Sequence, residues 1–376
     1  MTETRTYLDY NASAPLRAEA RVAMVAAMDT LGNPSSVHTE GRAVRAIVER
    51  AREEVAHLVN AKPSEVVFTS GATEANNWVM AGGWDEICVS SIEHDSVLAP
   101  GRASGARLAS LPVSTSGIVD VEAMKSILMR AGERSKRVLA SLMMANNETG
   151  VIQPVAEVAA EARRLGAVMH VDAVQAPGRI SVDFAALSAD AMVLSAHKLG
   201  GPRGVGALIV RDGVTLTPLI KGGGHERRRR GGTENVTGIA GFGAAAVAVR
   251  RETDAASRMS RLRSMLEDCV LRITPTAVII GREAARVANT SCIALPGKPA
   301  ETLVIKLDLE GIAVSAGAAC FSGKVGPSHV LEAMGLSPEI ARAAVRVSLG
   351  PETCEGDIAA FLAAWEKVAK PVAIAA

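Results

Sequence analysis

In residues 191–210, AMVLSAHKLGGPRGVGALIV, one apolar run ends in Ser-Ala-His-Lys, and a glycine-rich turn leads to a second apolar run. Short apolar runs of this kind are typical of buried strands, and Lys198 follows the first strand directly. A lysine at the end of a strand can form a Schiff base with a carbonyl compound. An isolated loop lysine is more often simply solvated, so its interpretation depends on the rest of the sequence.

Strand and helix patterns alternate on both sides of this stretch. Strands are predicted over residues 65–69, 87–90, 138–143, 168–171, 191–195 and 206–210. Helices are predicted over residues 18–30, 40–59 and 154–165, among others. This alternation predicts an α/β fold in which a mostly parallel sheet is covered by helices on both faces.

The pattern changes after about residue 256. A charged helix is predicted over 258–272, and later helices over 300–309 and 355–368. Strands are predicted over 277–280, 291–294, 312–315 and 345–349. We therefore predict a large domain over residues 14–256 and a smaller α+β domain formed by residues 1–13 and 257–376.

The composition excludes several classes of protein. The 376 residues have a net charge of +1, with 48% apolar and 22% charged residues, as in ordinary globular proteins. A near-neutral charge and only 3% aromatic residues disfavour nucleic-acid binding. The five cysteines are widely spaced, so neither a disulfide framework nor a metal site is expected. They are Cys88, Cys269, Cys292, Cys320 and Cys354.

No segment of the sequence predicts contact with a membrane. The longest apolar run, residues 236–249, is shorter than the roughly 20 residues that a spanning helix needs. The first residues are polar and do not form a signal-peptide pattern. We therefore expect a cytoplasmic protein.

Two further motifs suit a phosphate-bearing cofactor. Asp172 follows a predicted strand, and ligands of open α/β sheets bind at the carboxyl ends of strands. A carboxylate there can hold a pyridinium nitrogen protonated. Residues 69–74, TSGATE, join a strand to a helix whose first N–H groups could bind a phosphate. A serine or threonine followed closely by a glutamate is also an ordinary helix cap, so by itself this stretch leaves both interpretations open.

These motifs, in their order along the chain, resemble those of the cysteine desulfurases, pyridoxal-phosphate enzymes in the class V aminotransferase family. The matching stretches are 7–12 (YLDYNA), 32–38 (GNPSSVH), 69–77 (TSGATEANN), 93–94 (EH), 146–150 (NNETG), 170–175 (HVDAVQ), 195–201 (SAHKLGG), 222–233 (GGGHERRRRGGT), 315–320 (SAGAAC) and 346–350 (RVSLG). The resemblance implies pyridoxal 5′-phosphate as the cofactor. It also implies fold type I, with a mostly parallel seven-stranded sheet in the large domain and a smaller α+β domain.

The resemblance implies a cofactor role for each matching residue. Lys198 would form the Schiff base, Asp172 would pair with the ring nitrogen, and His94 would stack on the ring and transfer protons. Gln175 and Asn147 would lie near the ring hydroxyl. Four residues would hold the phosphate: Ala72, Thr73, Ser195 and His197.

Other matching residues would bind the substrate or a second subunit. Arg346 would hold the substrate carboxylate, a task for which a planar guanidinium is well suited, with Asn147 and Asn11 beside it. Thr233 ends a glycine- and arginine-rich segment that reaches the neighbouring subunit's phosphate in this family. A homodimer with two shared sites is therefore expected.

Cys320 matches the cysteine that carries a persulfide in these enzymes. It lies in a glycine-bearing segment, where a thiolate is accessible as a nucleophile. Gly323 and Gly326 predict that this segment moves. The other four cysteines are expected to be structural.

The expected activity is the removal of sulfur from L-cysteine, giving L-alanine and a persulfide on Cys320. The sulfur would then pass to an acceptor protein, such as an iron–sulfur scaffold. A selenocysteine lyase or another class V aminotransferase-type enzyme is the alternative on the same site. A cofactor-free interaction protein is disfavoured, because Lys198, Asp172, His94 and Arg346 are all present.

Overall fold

After a short strand β1 (Thr6–Tyr7), seven strands form the larger sheet of the computed structural model, which describes residues 5–317 and 327–370. Their bounds are β2 Val66–Thr69, β3 Glu86–Ser90, β4 Arg107–Leu111, β5 Val138–Met143, β6 Val168–Asp172, β7 Ala191–Ser195 and β8 Gly206–Val210. They lie in the order β2-β8-β7-β6-β5-β3-β4. Strand β8 is antiparallel to both of its neighbours, and the other pairs are parallel. The mostly parallel seven-stranded sheet is confirmed.

The burial of each strand explains whether the sequence pattern predicted it. Strands β5, β7 and β8 are buried at every position, as expected where helices cover both faces of a sheet. Strand β4 lies at the edge and is largely exposed, so it lacks a continuous apolar run. The sequence pattern missed β4 for this reason.

Helices flank the larger sheet. Their bounds are α1 Ala18–Met28, α2 Thr39–Leu58, α3 Ala72–Met80, α4 Asp95–Ala103, α5 Val121–Arg134, α6 Val155–Arg164, α7 His225–Arg228 and α8 Val236–Arg251. The longest apolar run of the sequence forms α8, which packs against α1 and α2. Across residues 5–317 and 327–370, no helix combines the length and apolar character needed to cross a membrane.

A smaller antiparallel sheet follows in the second part of the chain. Its strands are β9 Val278–Ile280, β10 Thr290–Ala294, β12 Ser315–Ala316 and β13 Ala344–Ser348, in the order β12-β13-β10-β9. Strand β11 (Ile312–Ala313) pairs instead with β1, so the strand expected over 312–315 divides at Val314. The helices here are α9 Ala255–Ile273, α10 Ala300–Leu309, α11 His329–Ala333, α12 Pro338–Arg342 and α13 Glu355–Ala369.

We propose that the two sheets are the centres of two domains with the boundaries predicted from the sequence. Most buried apolar residues fall into clusters that lie on one sheet or the other. The first strand pairs with β11, which places the start of the chain with the smaller sheet. The chain then crosses to the larger sheet, where the N–H of Ala14 bonds the carbonyl of His197 at 2.9 Å. This crossing brings residues 9–13 over the carboxyl ends of β6 and β7.

Candidate active site

A cavity of about 580 Å³ lies at the carboxyl ends of β6 and β7, where the two sheets face each other. Most of the predicted site residues line it: Asn11, Ala72, Thr73, His94, Asn147, Asp172, Gln175, Ser195, His197, Lys198 and Arg346. Thr233 is not among the lining residues. Cys320, with the segment predicted to move, lies outside the described residues.

Lys198 ends a short 3-10 helix, Ala196–Lys198, that follows β7 directly. Its Nζ donates hydrogen bonds to the carbonyl oxygens of Asn11 and Ala12, the second at 2.9 Å. These bonds hold the amine at the cavity wall below the crossing segment. A primary amine in this place can attack a bound carbonyl group or accept a proton from a bound substrate.

Asp172 is the last residue of β6 and is 7% exposed. Its Oδ1 accepts a hydrogen bond from the backbone N–H of Val174 at 3.0 Å. Its Oδ2 accepts one from Nδ2 of Asn76 at 2.9 Å. Both oxygens are thus oriented by donors, as suits a carboxylate that pairs with a cationic group.

Asn76 and Ser96 are site residues that the sequence analysis did not single out. Besides its bond to Asp172, Asn76 Nδ2 donates to Ser96 Oγ at 2.9 Å. Ser96 Oγ lies 2.8 Å from Nδ1 of His94. A continuous chain of hydrogen bonds therefore joins Asp172 to His94. The matched stretch 69–77, which contains Asn76, was the available signal in the sequence, but it did not show that this asparagine is fully buried with Nδ2 bonded to both Asp172 and Ser96.

His94 precedes α4 as its N-cap, and its Nδ1 accepts a hydrogen bond from the backbone N–H of Ser96 at 3.0 Å. Burial lowers the pKa of His94, Lys198 and His329 lower it too, and Asp172 and Asp95 act in the opposite direction. The ring is therefore neutral near pH 7. A neutral imidazole beside the cavity can take up or release a proton during a reaction.

Helix α3 begins at the cavity in a way that suits a phosphate. It starts after Gly71, and within the described part of the chain no side chain caps its first turn. A β-carbon on Gly206 would lie 2.8 Å from Cα of Gly71 and from the carbonyl oxygen of Leu194, so this turn packs closely against β7 and β8. Backbone N–H groups at a helix start, aided by the helix dipole, bind anions.

Ser195 and His197 lie beside this turn. Burial is the main cause that lowers the pKa of His197 to about 4, and nearby Lys198 and Arg203 contribute to this shift. His197 is therefore neutral near pH 7, so it can contribute a hydrogen bond to an anion but no charge.

Arg346 faces the cavity from β13 of the smaller sheet and is 3% exposed. One guanidinium nitrogen, Nη1, donates to the carbonyl oxygen of Asn147 at 3.1 Å. The other, Nη2, donates to Oδ1 of Asp9 at 2.9 Å. The buried Nε has no hydrogen-bond partner among the described residues. A guanidinium held in this way is oriented to bind a carboxylate.

The side chain of Asn11 is buried and stabilises the site through hydrogen bonds within the protein. Its Nδ2 donates to the Asn147 carbonyl at 3.2 Å and to Thr290 Oγ1 at 2.9 Å, and its Oδ1 accepts from Asn289 at 3.1 Å. These bonds join the crossing segment to β10 and to the Asn147 turn. The predicted contact of Asn11 with substrate stays a prediction, since the polar atoms of its side chain are engaged within the protein.

Gln175 is tied to the same segment. Its Nε2 donates to the carbonyl oxygen of Asn11 at 3.1 Å, and its Oε1 accepts from Arg179. Burial lowers the pKa of Arg179 to about 9, with a further contribution from Arg346. The ring-hydroxyl contact predicted for Gln175 is not tested by these bonds.

Thr233 lines a smaller cavity of about 150 Å³ that shares Ser70, Gly204 and Val205 with the larger one. The segment before it is firmly anchored. Glu226, which has a left-handed φ of 45°, pairs with buried Arg52 through bonds of 2.7 and 2.9 Å. Thr233 itself is exposed on this segment, close to the helix start described above.

None of the four cysteines in the described part of the chain lines the cavity. Cys88 and Cys292 are buried, and burial raises the pKa of the Cys88 thiol to about 12. Thiols of this kind are poor nucleophiles.

Comparison with known proteins defines the family. Residues 6–361 match the family described as aminotransferase class-V, so the chain belongs to that family. A cysteine desulfurase of Cereibacter sphaeroides is 42% identical, over 94% of this chain and 93% of its own length. An IscS-like cysteine desulfurase of Mycobacterium tuberculosis is 38% identical, over 95% and 94%. Within class V, the chain thus belongs with the cysteine desulfurases.

Solved structures agree with this assignment. A NifS-like protein from Rickettsia africae has a TM-score of 0.89 and 35% identity, and the match covers 97% of this chain and 99% of that protein. A structure described as SspA in complex with cysteine has a TM-score of 0.79 and 30% identity, covering 93% and 100%. The fold predicted from the sequence is confirmed by these neighbours.

Proposed function

We propose that this chain binds pyridoxal 5′-phosphate and removes sulfur from L-cysteine, leaving L-alanine and a persulfide on Cys320. The observation that carries the proposal is the cavity between the two sheets. It combines an amine, a carboxylate with two bonded oxygens, an uncapped helix start and a guanidinium. The relative whose structure is described as a complex with cysteine supports the choice of substrate.

The residues present fit this cofactor. Asp172 would pair with the ring nitrogen, and Lys198 would hold the aldehyde carbon. The start of α3, with Ala72, Thr73, Ser195 and His197, would bind the phosphate, while His94, Gln175 and Asn147 would contact the ring. When bound, pyridoxal phosphate supplies an electron sink for charge that develops on the substrate's α-carbon.

Residues of the chain itself would bind the substrate, transfer protons and accept the sulfur. Arg346 binds the substrate carboxylate and orients the α-carbon toward Lys198. Nζ of Lys198 then takes the α-proton and returns it to the α-carbon before alanine is released. Its bonds to two carbonyl oxygens keep it within reach. The Cys320 thiolate bonds to the substrate's sulfur as the Cβ–S bond breaks. The electron pair of that bond leaves with the carbon, which gains a proton to become the methyl group of alanine.

The test measures whether the sulfur of cysteine is transferred to Cys320. The purified protein, loaded with pyridoxal phosphate and treated with cysteine, should release alanine and gain one sulfur on Cys320, as located by mass spectrometry. Cys320→Ser should bind cysteine but release little alanine, whereas Cys269→Ser should behave like the wild type. Lys198→Ala should lose the lysine adduct that borohydride fixes. Full alanine release by Cys320→Ser would favour the selenocysteine-lyase or aminotransferase alternative.

We also propose that the active form is a homodimer with shared sites. Helix α1 exposes Val22, Val25 and Met28, which are 50–69% exposed, and Leu31 follows them at 82%. Spacing of three to four residues puts such side chains on one helix face, and an apolar face of this size favours a second copy of the chain. Thr233 would then meet the partner's phosphate.

Mixed dimers test the shared site. Lys198→Ala and Thr233→Ala chains should each be weakly active alone. A verified heterodimer should regain activity, because one of its two sites escapes both changes. No recovery would mean that each site is built within one chain. Light scattering during gel filtration measures the oligomeric state directly.

We also propose that the sulfur is delivered to an acceptor protein and that the protein is located in the cytoplasm. A persulfide on an enzyme has to be passed on before the next turnover, so an acceptor with a nucleophilic thiol is required. Capture with a persulfide-trapping probe in cell extract should identify it. Recovery of no acceptor thiol, with free sulfide appearing in solution as added thiol reduces the Cys320 persulfide, would argue for release of free sulfide instead.

A further inference from the structure

Two donors of Ser96 converge on one nitrogen of the His94 ring. The backbone N–H of Ser96 donates to Nδ1 at 3.0 Å, which caps helix α4. The hydroxyl oxygen of Ser96 lies 2.8 Å from the same nitrogen. A backbone N–H can only donate, so Nδ1 has to offer its lone pair and carries no proton. A neutral imidazole keeps one N–H proton on one of its two nitrogens, and here that nitrogen is Nε2.

The direction of the hydroxyl bond follows from Asn76. Nδ2 of Asn76 donates to Oγ of Ser96 at 2.9 Å and to Oδ2 of Asp172 at 2.9 Å. The opposite orientation of the amide would set its oxygen against a carboxylate oxygen of Asp172, with no hydrogen between the two acceptors. Oγ of Ser96 therefore accepts from Asn76, and its own hydrogen is directed to Nδ1 of His94.

The place of the ring at the start of α4 disfavours a second proton. His94 is the N-cap of this helix of nine residues, where the positive end of the helix dipole lies. A neutral acceptor suits this place, whereas a positively charged ring does not. Burial acts in the same direction and lowers the pKa of His94. Four other groups act on this pKa, two that raise it and two that lower it: Asp172 and Asp95, and Lys198 and His329.

We propose that Ser96 is a positioning residue, which together with Asn76 fixes His94 as the Nε2–H tautomer, so that His94 donates hydrogen bonds in the cavity and does not act as a base. A neutral imidazole takes up a proton on its unprotonated nitrogen, and here both donors of Ser96 occupy that nitrogen. His94 lines the cavity, and any hydrogen bond that Nε2 makes there is one in which it donates. Transfer of the α-proton therefore falls to Lys198. This inference rests on the proposed function for the reaction, but not for the tautomer.

The tautomer can be observed directly by nitrogen-15 NMR. The chain has seven histidines, so labelling of the histidine rings gives a small set of signals. Those of His94 are identified by their absence from His94→Gln. Near pH 7, Nε2 of His94 should carry the proton and Nδ1 should carry none, both in the protein loaded with pyridoxal phosphate and in the cofactor-free protein. A proton on Nδ1, or two tautomers in comparable amounts, would overturn the proposal.

Two serines at opposite ends of α4 measure what the hydroxyl contributes. Ser96→Ala keeps the backbone donor but loses the hydroxyl, so the ring should bind its second proton about 10-fold more tightly, the effect expected for one lost hydrogen bond. Ser96→Thr keeps a hydroxyl and should restore the midpoint of this pH titration. Ser104, the C-cap, donates instead to the carbonyl oxygen of Gly101 at 2.7 Å. Ser104→Ala should titrate like the wild type, and equal midpoints for the two alanine variants would contradict the role of Ser96.

Turnover separates a donor from a base. Glutamine at position 94 places an amide N–H near the position of Nε2, whereas asparagine reaches only the position of Nδ1 and keeps the cap of α4. With saturating cofactor, His94→Gln should release alanine from cysteine about 10-fold faster than His94→Asn, because only the glutamine keeps the donor. If His94 were the base, both variants would lose about 100- to 10,000-fold equally, and the proposal would be wrong. Failure of the proposed function is distinguishable, because the wild type would then release no alanine while its ring signals would still report the tautomer.

Discussion

The two walls of the active-site cavity are built by different means. The large-sheet wall consists of Asp172, Lys198 and the start of α3, each placed by the strand that it directly follows or ends. The small-sheet wall consists of Arg346 and the Asn147–Glu148 turn. There the guanidinium is oriented by Asp9 and Asn147, which come from two other parts of the chain.

This difference assigns separate tasks to the two walls. In the large-sheet wall each residue is placed by the adjacent strand end or helix start, which makes this wall a rigid frame. Such a frame suits a cofactor that stays bound. Side chains that meet from distant segments define a pocket whose shape depends on the relative position of the two sheets. Such a pocket suits the substrate, which has to enter and leave. Changes in the two walls should therefore affect different measurements.

The largest effect is expected for Arg346→Lys. A lysine keeps the charge but loses the planar pair of donors that would bind a carboxylate. We expect kcat/KM for cysteine to fall by about 100- to 1000-fold, or ~3–4 kcal/mol. The affinity for pyridoxal phosphate, measured by absorbance titration, should change little. The matched control is Arg342→Lys, an exposed arginine at the end of α12. A parallel loss of cofactor affinity would contradict the division of tasks.

The same comparison explains how much the sequence could predict. Elements of the large-sheet wall are local: β7 and β8 are continuous apolar runs, and Ser-Ala-His-Lys follows β7 directly. Their bounds and residues were therefore predictable. Strand β4 was missed because this edge strand is largely exposed and lacks a continuous apolar run.

Contacts of the small-sheet wall could not be predicted in the same way. The bond between Ser328 and Glu148, and the bonds of Asn11 to Thr290 and Asn289, join residues far apart in the sequence. No local pattern encodes such pairs, because they exist only once the two sheets are packed together. The motif matches located Asn11 and Asn147, but they could not show that the Asn11 amide is turned into the protein.

The second prediction concerns pH and stability, on which the two walls should act in opposite directions. In the small-sheet wall, burial raises the pKa of Glu148 to about 7 from its usual 4.5. Between these values the unfolded chain releases the proton that the native state keeps, so stability falls as pH rises. The contribution is about 3 kcal/mol at most. In the large-sheet wall, burial lowers the pKa of His197 to about 4, so stability is lost as pH falls from 6.5 toward 4.

Urea unfolding of the cofactor-free protein between pH 4.5 and 7.5 measures both contributions. Relative to the wild type, Glu148→Gln should gain stability as pH rises toward 7, because it no longer carries a buried group that ionises there. Groups that face Glu148, namely Arg346, Ser328 and Cys292, remain in place in this variant. His197→Gln should gain stability relative to the wild type as pH falls below 6.5. Shifts of the two variants in the same direction would show that the assignments are wrong.

The smallest effect is expected for Asn76→Ala, which removes one of the two donors to Asp172 and leaves its frame intact. A hydrogen bond to a charged acceptor contributes about 1.5–3 kcal/mol, part of which water entering the space would restore. We therefore expect the affinity for pyridoxal phosphate to fall by about 10-fold, or ~1.4 kcal/mol. The control is Asn77→Ala, the neighbouring amide, which bonds the Thr73 carbonyl of its own helix at 2.8 Å. With saturating cofactor, the KM for cysteine should equal that of the wild type, because the small-sheet wall is unchanged. A raised KM with normal cofactor affinity would place Asn76 in substrate binding and would join the two walls into one functional unit.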